Sequence, residues 1–138
     1  MKKIVLIQCC STKQESATVA EKLYCSPLFK YSLKYAKSLN PDRIYILSAL
    51  HHVVELSDIL EPYNLTLNTM SKTQRKFWSF KVLYELKEKG CDFENDFFII
   101  LAGTNYRDFL ISKLRHYSIP LKGLGIGRQL SALKKATE

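Results

Sequence analysis

Acidic residues are in short supply: 13 Asp and Glu stand against 21 Lys and Arg, leaving a net charge of +8 at neutral pH. That deficit argues against a cationic partner and favours an anionic one such as nucleic acid, nucleotide or phosphate. Glycine and proline are scarce too, five and four in 138 residues, which excludes collagen-like and low-complexity architectures. No run of about 18 apolar residues is present, so no membrane-spanning helix is expected. The apolar run that follows the first lysines, Ile4 to Ile7, is too short for the core of a secretory leader, and no small-residue cleavage site follows it. Cys9, Cys10, Cys25 and Cys91 match neither C-x-x-C nor a zinc-ligand spacing, and the three histidines supply none. We therefore expect no metal, no cofactor, and reduced thiols in a cytoplasmic protein.

What the chain does have is an ordinary core, 46% hydrophobic and 25% charged residues, spread without linker or internal repeat, so residues 1–138 read as one domain. Three apolar runs, 3–8, 43–48 and 97–102, have the composition of buried strands, and helical patterns lie between them. This alternation predicts an α/β fold: a mainly parallel, three- to five-stranded sheet flanked by helices, Rossmann-like. Ser26-Pro27 marks a helix start, with Leu28, Tyr35, Ala36 and Leu39 turned inward and Lys30, Lys34 and Lys37 outward. Ser71 with Gln74 has the pattern of a capping box and Gly90 that of a stop, which predicts a helix whose apolar face holds Phe77, Trp78, Val82, Leu83 and Leu86. Further helices are expected over 104–116 and 125–135, and a short edge strand over 118–121, where Pro120 forbids a central position.

Ligands of open α/β sheets bind beyond the carboxyl ends of the strands, and all three predicted strands end in polar sequence. After the first come Cys10, Ser11 and Lys13, whose hydroxyl, ammonium and backbone N–H groups suit an anion, although the glycines of a P-loop are missing. The adjacent Cys9-Cys10 pair does not suit an unstrained disulfide. After the second come Ser48, His51 and His52; His51 is either a solvated loop residue or a proton-transfer group. After the third come Gly103 and Tyr106. Glu61-Pro62-Tyr63 offers a held carboxylate and phenol, and Gly125-x-Gly127-Arg128 a close backbone approach with a guanidinium fork.

Two functional readings follow. In the first, these residues line one cleft for a nucleotide, nucleoside or base: Cys10, Ser11, Lys13, Ser48, Gly103, Tyr106, Gly125, Gly127 and Arg128 bind, while His51, Glu61 and Tyr63 are the catalytic candidates. N-glycosidic chemistry would suit that set, because a carboxylate can steady an oxocarbenium-like sugar. In the second, the protein is a non-catalytic DNA-binding protein that tracks phosphates with Lys30, Lys34 and Lys37 on one helix and Lys72, Arg75 and Lys76 on another. A purely partner-binding role, through aromatics such as Tyr31 or Tyr117, is a third.

The series Cys10-Ser11-x-Lys13, Leu23-Tyr24-x-Ser26-Pro27-Leu28-Phe29, Ile46-Leu47-Ser48-Ala49-x-His51, Glu61-Pro62-Tyr63 and Gly123-Leu124-Gly125-Ile126-Gly127 resembles an uncharacterised family of small bacterial and phage proteins. That family is often described as similar to the peroxide-stress protein YaaA. The resemblance covers most of the chain and implies nucleic-acid or nucleobase business: YaaA proteins are regarded as DNA-binding proteins of the stress response, and a related domain accompanies enzymes of deazaguanine tRNA modification. The family commonly has lysine, histidine and glycine where this chain has Leu50, His51 and His52, and the helix-hairpin-helix associated with YaaA has no counterpart in this sequence.

Overall fold

In the computed structural model, which describes residues 1–138, the chain runs β1 (Lys3–Gln8), β2 (Thr18–Val19), α1 (Ala20–Leu23), α2 (Pro27–Ser38), β3 (Arg43–Ser48), β4 (His52–Glu55) and β5 (Ile59–Leu60). A 3₁₀ turn at Leu67–Thr69 leads into α3 (Lys72–Glu88), β6 (Phe97–Leu101), α4 (Thr104–Ile111), β7 (His116–Ser118) and α5 (Ile126–Ala136). The main sheet has the order β4-β3-β1-β6-β7. Four strands are parallel and β4 returns antiparallel to β3, so the sheet is mixed although mostly parallel. β2 and β5 pair apart from it as a small antiparallel ribbon.

Central position follows from composition. Ile4, Val5, Leu6 and Ile7 of β1 are all buried, as a strand covered on both faces requires, and such a strand shows no polar alternation. From β1 the chain moves through α2 to β3 on one side; later it returns through α3 to β6 on the other side. Right-handed crossovers in opposite directions place α2 and α3 on opposite faces, and each has a partner, α5 against α2 and α4 against α3. The strand order therefore reverses between β1 and β6, and their carboxyl ends part there.

The helix starts form as their sequences dictate. Ser26 Oγ accepts the Phe29 N–H at 3.1 Å ahead of Pro27. Ser71 and Gln74 exchange both bonds of a capping box, at 2.8 and 3.2 Å. Gly90, with φ 90°, follows the end of α3.

Several expectations are corrected. α2 buries Phe29, Ser32 and Ala36, whereas Leu28, Tyr35 and Leu39 are only half-buried. Phe77 is turned outward, 65% exposed, because it lies about 100° round the axis from Trp78, on the far side from Val82 and Leu86. The fourth helix ends at Ile111 rather than 116, since Leu114 is needed in the core and His116–Ser118 pairs with β6. The edge strand thus lies before Pro120, which has no N–H to donate, instead of across it. At β4 the buried Val53 and Val54 form an edge strand that local sequence does not announce. His52 enters it at φ 63°, a left-handed conformation suited to the glycine that the resembled family commonly carries there.

Candidate functional site

Where β1 and β6 diverge, a cleft of about 540 Å³ opens, within the range of small-molecule sites. Its apolar interior includes Phe29, Ile100 and Ile119, and its rim includes Ser11, Lys13, Asn64, Asn68 and Arg107. Lys13 and Arg107 are the only charged residues that line it; no carboxylate does.

Three helices begin at this cleft. Ser26 and Pro27 bring the start of α2, Gly103 and Arg107 that of α4, and Ile126 and Gln129 that of α5. The first is capped by Ser26, but α4 and α5 start from Gly103 and Gly125 with no side-chain cap. Their first-turn N–H groups carry the partial positive charge of a helix end and are left for solvent or a ligand. On the inner wall Ser32 is 4% exposed and lines the cleft, and its hydroxyl takes part in no hydrogen bond among those the protein makes.

The mouth is fixed by backbone capture. Gln8 Oε1 accepts the Gly103 N–H at 2.7 Å and thereby ties the end of β1 to the start of α4. A Cβ at residue 103 would stand 3.2 Å from that oxygen, so glycine suits the close approach. Arg107 donates from Nη1 to the Ala102 carbonyl at 2.8 Å, which holds its guanidinium beside the same end and leaves further N–H donors. Tyr106 is buried; its hydroxyl accepts the Leu67 N–H at 3.3 Å and lies 3.7 Å from Cys9 Sγ. Burial pushes this phenol up to about 12. Through it, and through the Asn105 to Asn68 bond at 2.9 Å, α4 holds the segment that presents Asn64, Thr66 and Asn68 to the cleft.

Beside the cleft lies a hydroxyl chain. Ser48 Oγ accepts N–H groups from Leu50 at 3.2 Å and His51 at 2.9 Å. With both lone pairs taken, it donates its proton to Tyr63 Oη at 2.6 Å, and Tyr63 meets Tyr24 Oη at 2.6 Å. Three hydroxyl protons share two contacts, so one phenolic proton of the pair has no acceptor within the chain. Burial raises Tyr24 to about 12 and raises Tyr63 as well, which keeps both phenols as neutral donors at physiological pH. Lys13 Nζ sits 4.3 Å from the Tyr63 ring centroid and 5.6 Å from that of Tyr24, linking this cluster to the cleft by cation–π contact.

An asymmetry follows. Tyr63→Phe strands the Ser48 proton and is expected to cost about 1–3 kcal/mol, the penalty of an unsatisfied buried polar group. Tyr24→Phe removes only the Tyr63–Tyr24 contact and leaves the number of unaccepted protons at one, so it should cost under about 1 kcal/mol by the same reasoning. Urea unfolding midpoints of the two variants test the order.

The structure thus brings Cys10, Ser11, Lys13, Gly103 and Tyr106 to one cleft, and Ser48 and Tyr63 to the adjoining cluster, where the His51 ring meets Tyr63 edge-on at 5.4 Å. Glu61 is exposed and lines neither. Gly125 is the N-cap of α5; Gly127 and Arg128 are exposed and face away from the lining, while Ile126 and Gln129 of the same turn face into it. Gln8, Ser32, Arg107 and Gln129 were not singled out by the sequence. Gln8 and Arg107 had a signal, as polar residues at predicted strand ends, whereas a serine inside a helix had none.

Of the basic stripes, Lys30, Lys34 and Lys37 are exposed on α2, with Lys37 paired to Glu21 at 2.9 Å. Lys72 and Lys76 are exposed on α3, but Arg75 is half-buried and donates to the Met70 carbonyl at 2.8 Å. All four cysteines are free; burial raises the Cys91 thiol to about 11. No helix is long and apolar enough to cross a membrane.

Residues 4–135 match the model of a family of unknown function (DUF6884). No curated protein matches the chain.

Proposed function

We propose, for a chain that belongs to that family of unknown function, that the cleft between β1 and β6 binds a small phosphorylated ligand of the nucleotide class. One observation carries the reading: two uncapped helix starts and the only two charged lining residues, both cations, meet at a cleft without a carboxylate. Helix N-termini and charge-assisted donors favour phosphate, and the apolar interior suits the flat face of a base or the carbons of a sugar. The position at the strand-order reversal is where open α/β sheets receive such ligands. Because Glu61 lies outside the lining, the reading is of binding first; a glycosidic step would require that carboxylate to enter.

A thermal-shift series tests it, using nucleosides, their 5′-monophosphates and inorganic phosphate, since a ligand of the native state raises Tm by mass action. The monophosphates are expected to shift Tm more than the parent nucleosides. Lys13→Ala and Arg107→Ala should each weaken the monophosphates about 10- to 100-fold, the worth of one charged hydrogen bond, with nucleoside affinity hardly changed. Equal shifts from nucleoside and nucleotide, or none, would overturn the proposal.

The DNA-binding reading, which the resemblance to YaaA-related proteins suggests, is favoured by the exposure of Lys30 and Lys34 on one face of α2. It requires duplex DNA to bind with an affinity that falls steeply as salt rises and that Lys30→Ala with Lys34→Ala diminishes.

A further inference from the structure

Helix α3 is apolar on two sides. Its inner side, Trp78, Val82, Leu83 and Leu86, is buried in the core. Its outer side carries Phe77, Phe80 and Tyr84, which are 65%, 56% and 66% exposed and take part in none of the ring–ring contacts of the fold. A helix of a soluble protein normally presents polar residues there. Together the three rings leave roughly 300–400 Å² of largely apolar side chain in water, taking about 150–250 Å² for each whole side chain; on a monomer a patch of that order is often functional.

The spacing of the three rings is that of successive a, d and a positions of a heptad. Lys76 then falls at the flanking g position and Lys81 at the flanking e position, both exposed. An apolar seam bordered by charge is the arrangement with which one helix receives another, and the sign of the border selects the partner. A second copy of this chain would oppose lysine to lysine between two molecules that each carry +8, which disfavours self-pairing.

From these observations we infer that the outer face of α3 is a docking surface for an amphipathic helix of a partner protein, one with an apolar seam and Asp or Glu along its borders. The apolar seam supplies affinity and the lysines set charge selectivity and encounter rate. This surface is separate from the cleft, so the inference stands or falls independently of the nucleotide reading.

The test uses the full chain and two designed helical peptides of three heptads, identical in their Leu and Ile seam, one with Glu and one with Lys at the e and g positions. Fluorescence anisotropy is expected to show binding of the Glu peptide at least tenfold tighter than that of the Lys peptide. Phe77→Ser with Phe80→Ser, a change on an exposed face whose unaltered Tm is checked alongside, should weaken the Glu peptide at least tenfold. Lys76→Glu with Lys81→Glu should reverse the preference, and Lys13→Ala, which is expected to weaken the cleft's ligand, should leave the affinity for both peptides unaltered. Three results would overturn the inference. One is equal binding of both peptides, or binding indifferent to the serine variant. The second is a wild-type dimer by sedimentation that the serine variant makes monomeric, which assigns the face to a second copy. The third is tighter, salt-sensitive binding of oligodeoxythymidylate lost in the serine variant, which assigns it to single-stranded nucleic acid.

Discussion

Trp78→Ala is expected to lower the free energy of unfolding by about 3–5 kcal/mol, the range for removing a large aromatic from a core. Trp78 is buried on the inner side of α3 and stacks edge-on against Tyr106, with ring centroids 5.5 Å apart. Its indole N–H donates to the Ser48 carbonyl at 2.9 Å. The alanine variant therefore loses packing and one donor to the Ser48 carbonyl, which also faces its β4 register partner His52, and the second loss falls on the residue that anchors the Tyr63–Tyr24 chain. Trp78→Phe keeps most of the volume and isolates the hydrogen bond, so about 0.5–1.5 kcal/mol is expected from it. Urea denaturation followed by circular dichroism measures both. A phenylalanine variant as unstable as the alanine variant would show that the polar contact, not the volume, dominates.

Asp96→Asn should cost about 2–4 kcal/mol at neutral pH, because it breaks a buried, multiply bonded carboxylate. Asp96 is almost fully buried ahead of β6. Its oxygens accept the Lys2 N–H and the Asp92 N–H, each at 2.8 Å, and lie 3.4 Å from the Lys2 ammonium. Burial alone would push this carboxyl up; the two backbone bonds and the Lys2 side chain outweigh it and hold the group below its ordinary value. A carboxylate with a depressed folded pKa stabilises fully above its unfolded value, near 4, and its contribution disappears as pH falls through the folded value. Wild-type stability should accordingly decline from about pH 5 downward, and the asparagine variant should begin lower and decline less. Melting temperatures from pH 7 to pH 2 would reveal it; parallel curves for the two proteins would contradict the assignment.

Elements covered on both faces could be read from sequence because they need no information about neighbours. Ile4 to Ile7 and the run from Phe97 are apolar at successive positions, and only a central strand makes use of that. β4 was hidden, and β7 misplaced by a few residues, for the opposite reason. Val53-Val54 and His116–Ser118 become strands because β3 and β6 offer free edges, and that offer is tertiary. Helix caps are local chemistry, so Ser26 and Ser71 were legible, whereas Phe77 was misplaced because an apolar residue beside Trp78 looks like core until the helix has a definite rotation.

The candidate site divided along the same line. Lys13, Gly103 and Tyr106 follow from the rule that polar sequence gathers at strand ends. Glu61 and Arg128 rest on other signals, a proline-held turn and a glycine-rich helix start, and neither lines the cleft; one residue of rotation sends Gln129 inward and Arg128 out. Ser32 could not be found from sequence at all: its interest comes only from where the helix's rotation puts it, on the inner wall of the cleft.

α5 has Leu133 as its one fully buried side chain and lies chiefly against α2, on the far side of a loop in which Gly123 takes φ 82°. Segments with so little burial open locally at a small fraction of the global unfolding free energy. One jaw of the cleft thus rests on a helix with a single fully buried side chain and the other, at Gln8 and Gly103, on the ends of the central strands. Under the proposed function, a ligand that touched both jaws would tie α5 to the central strands, and its binding is expected to raise amide-exchange protection along that helix.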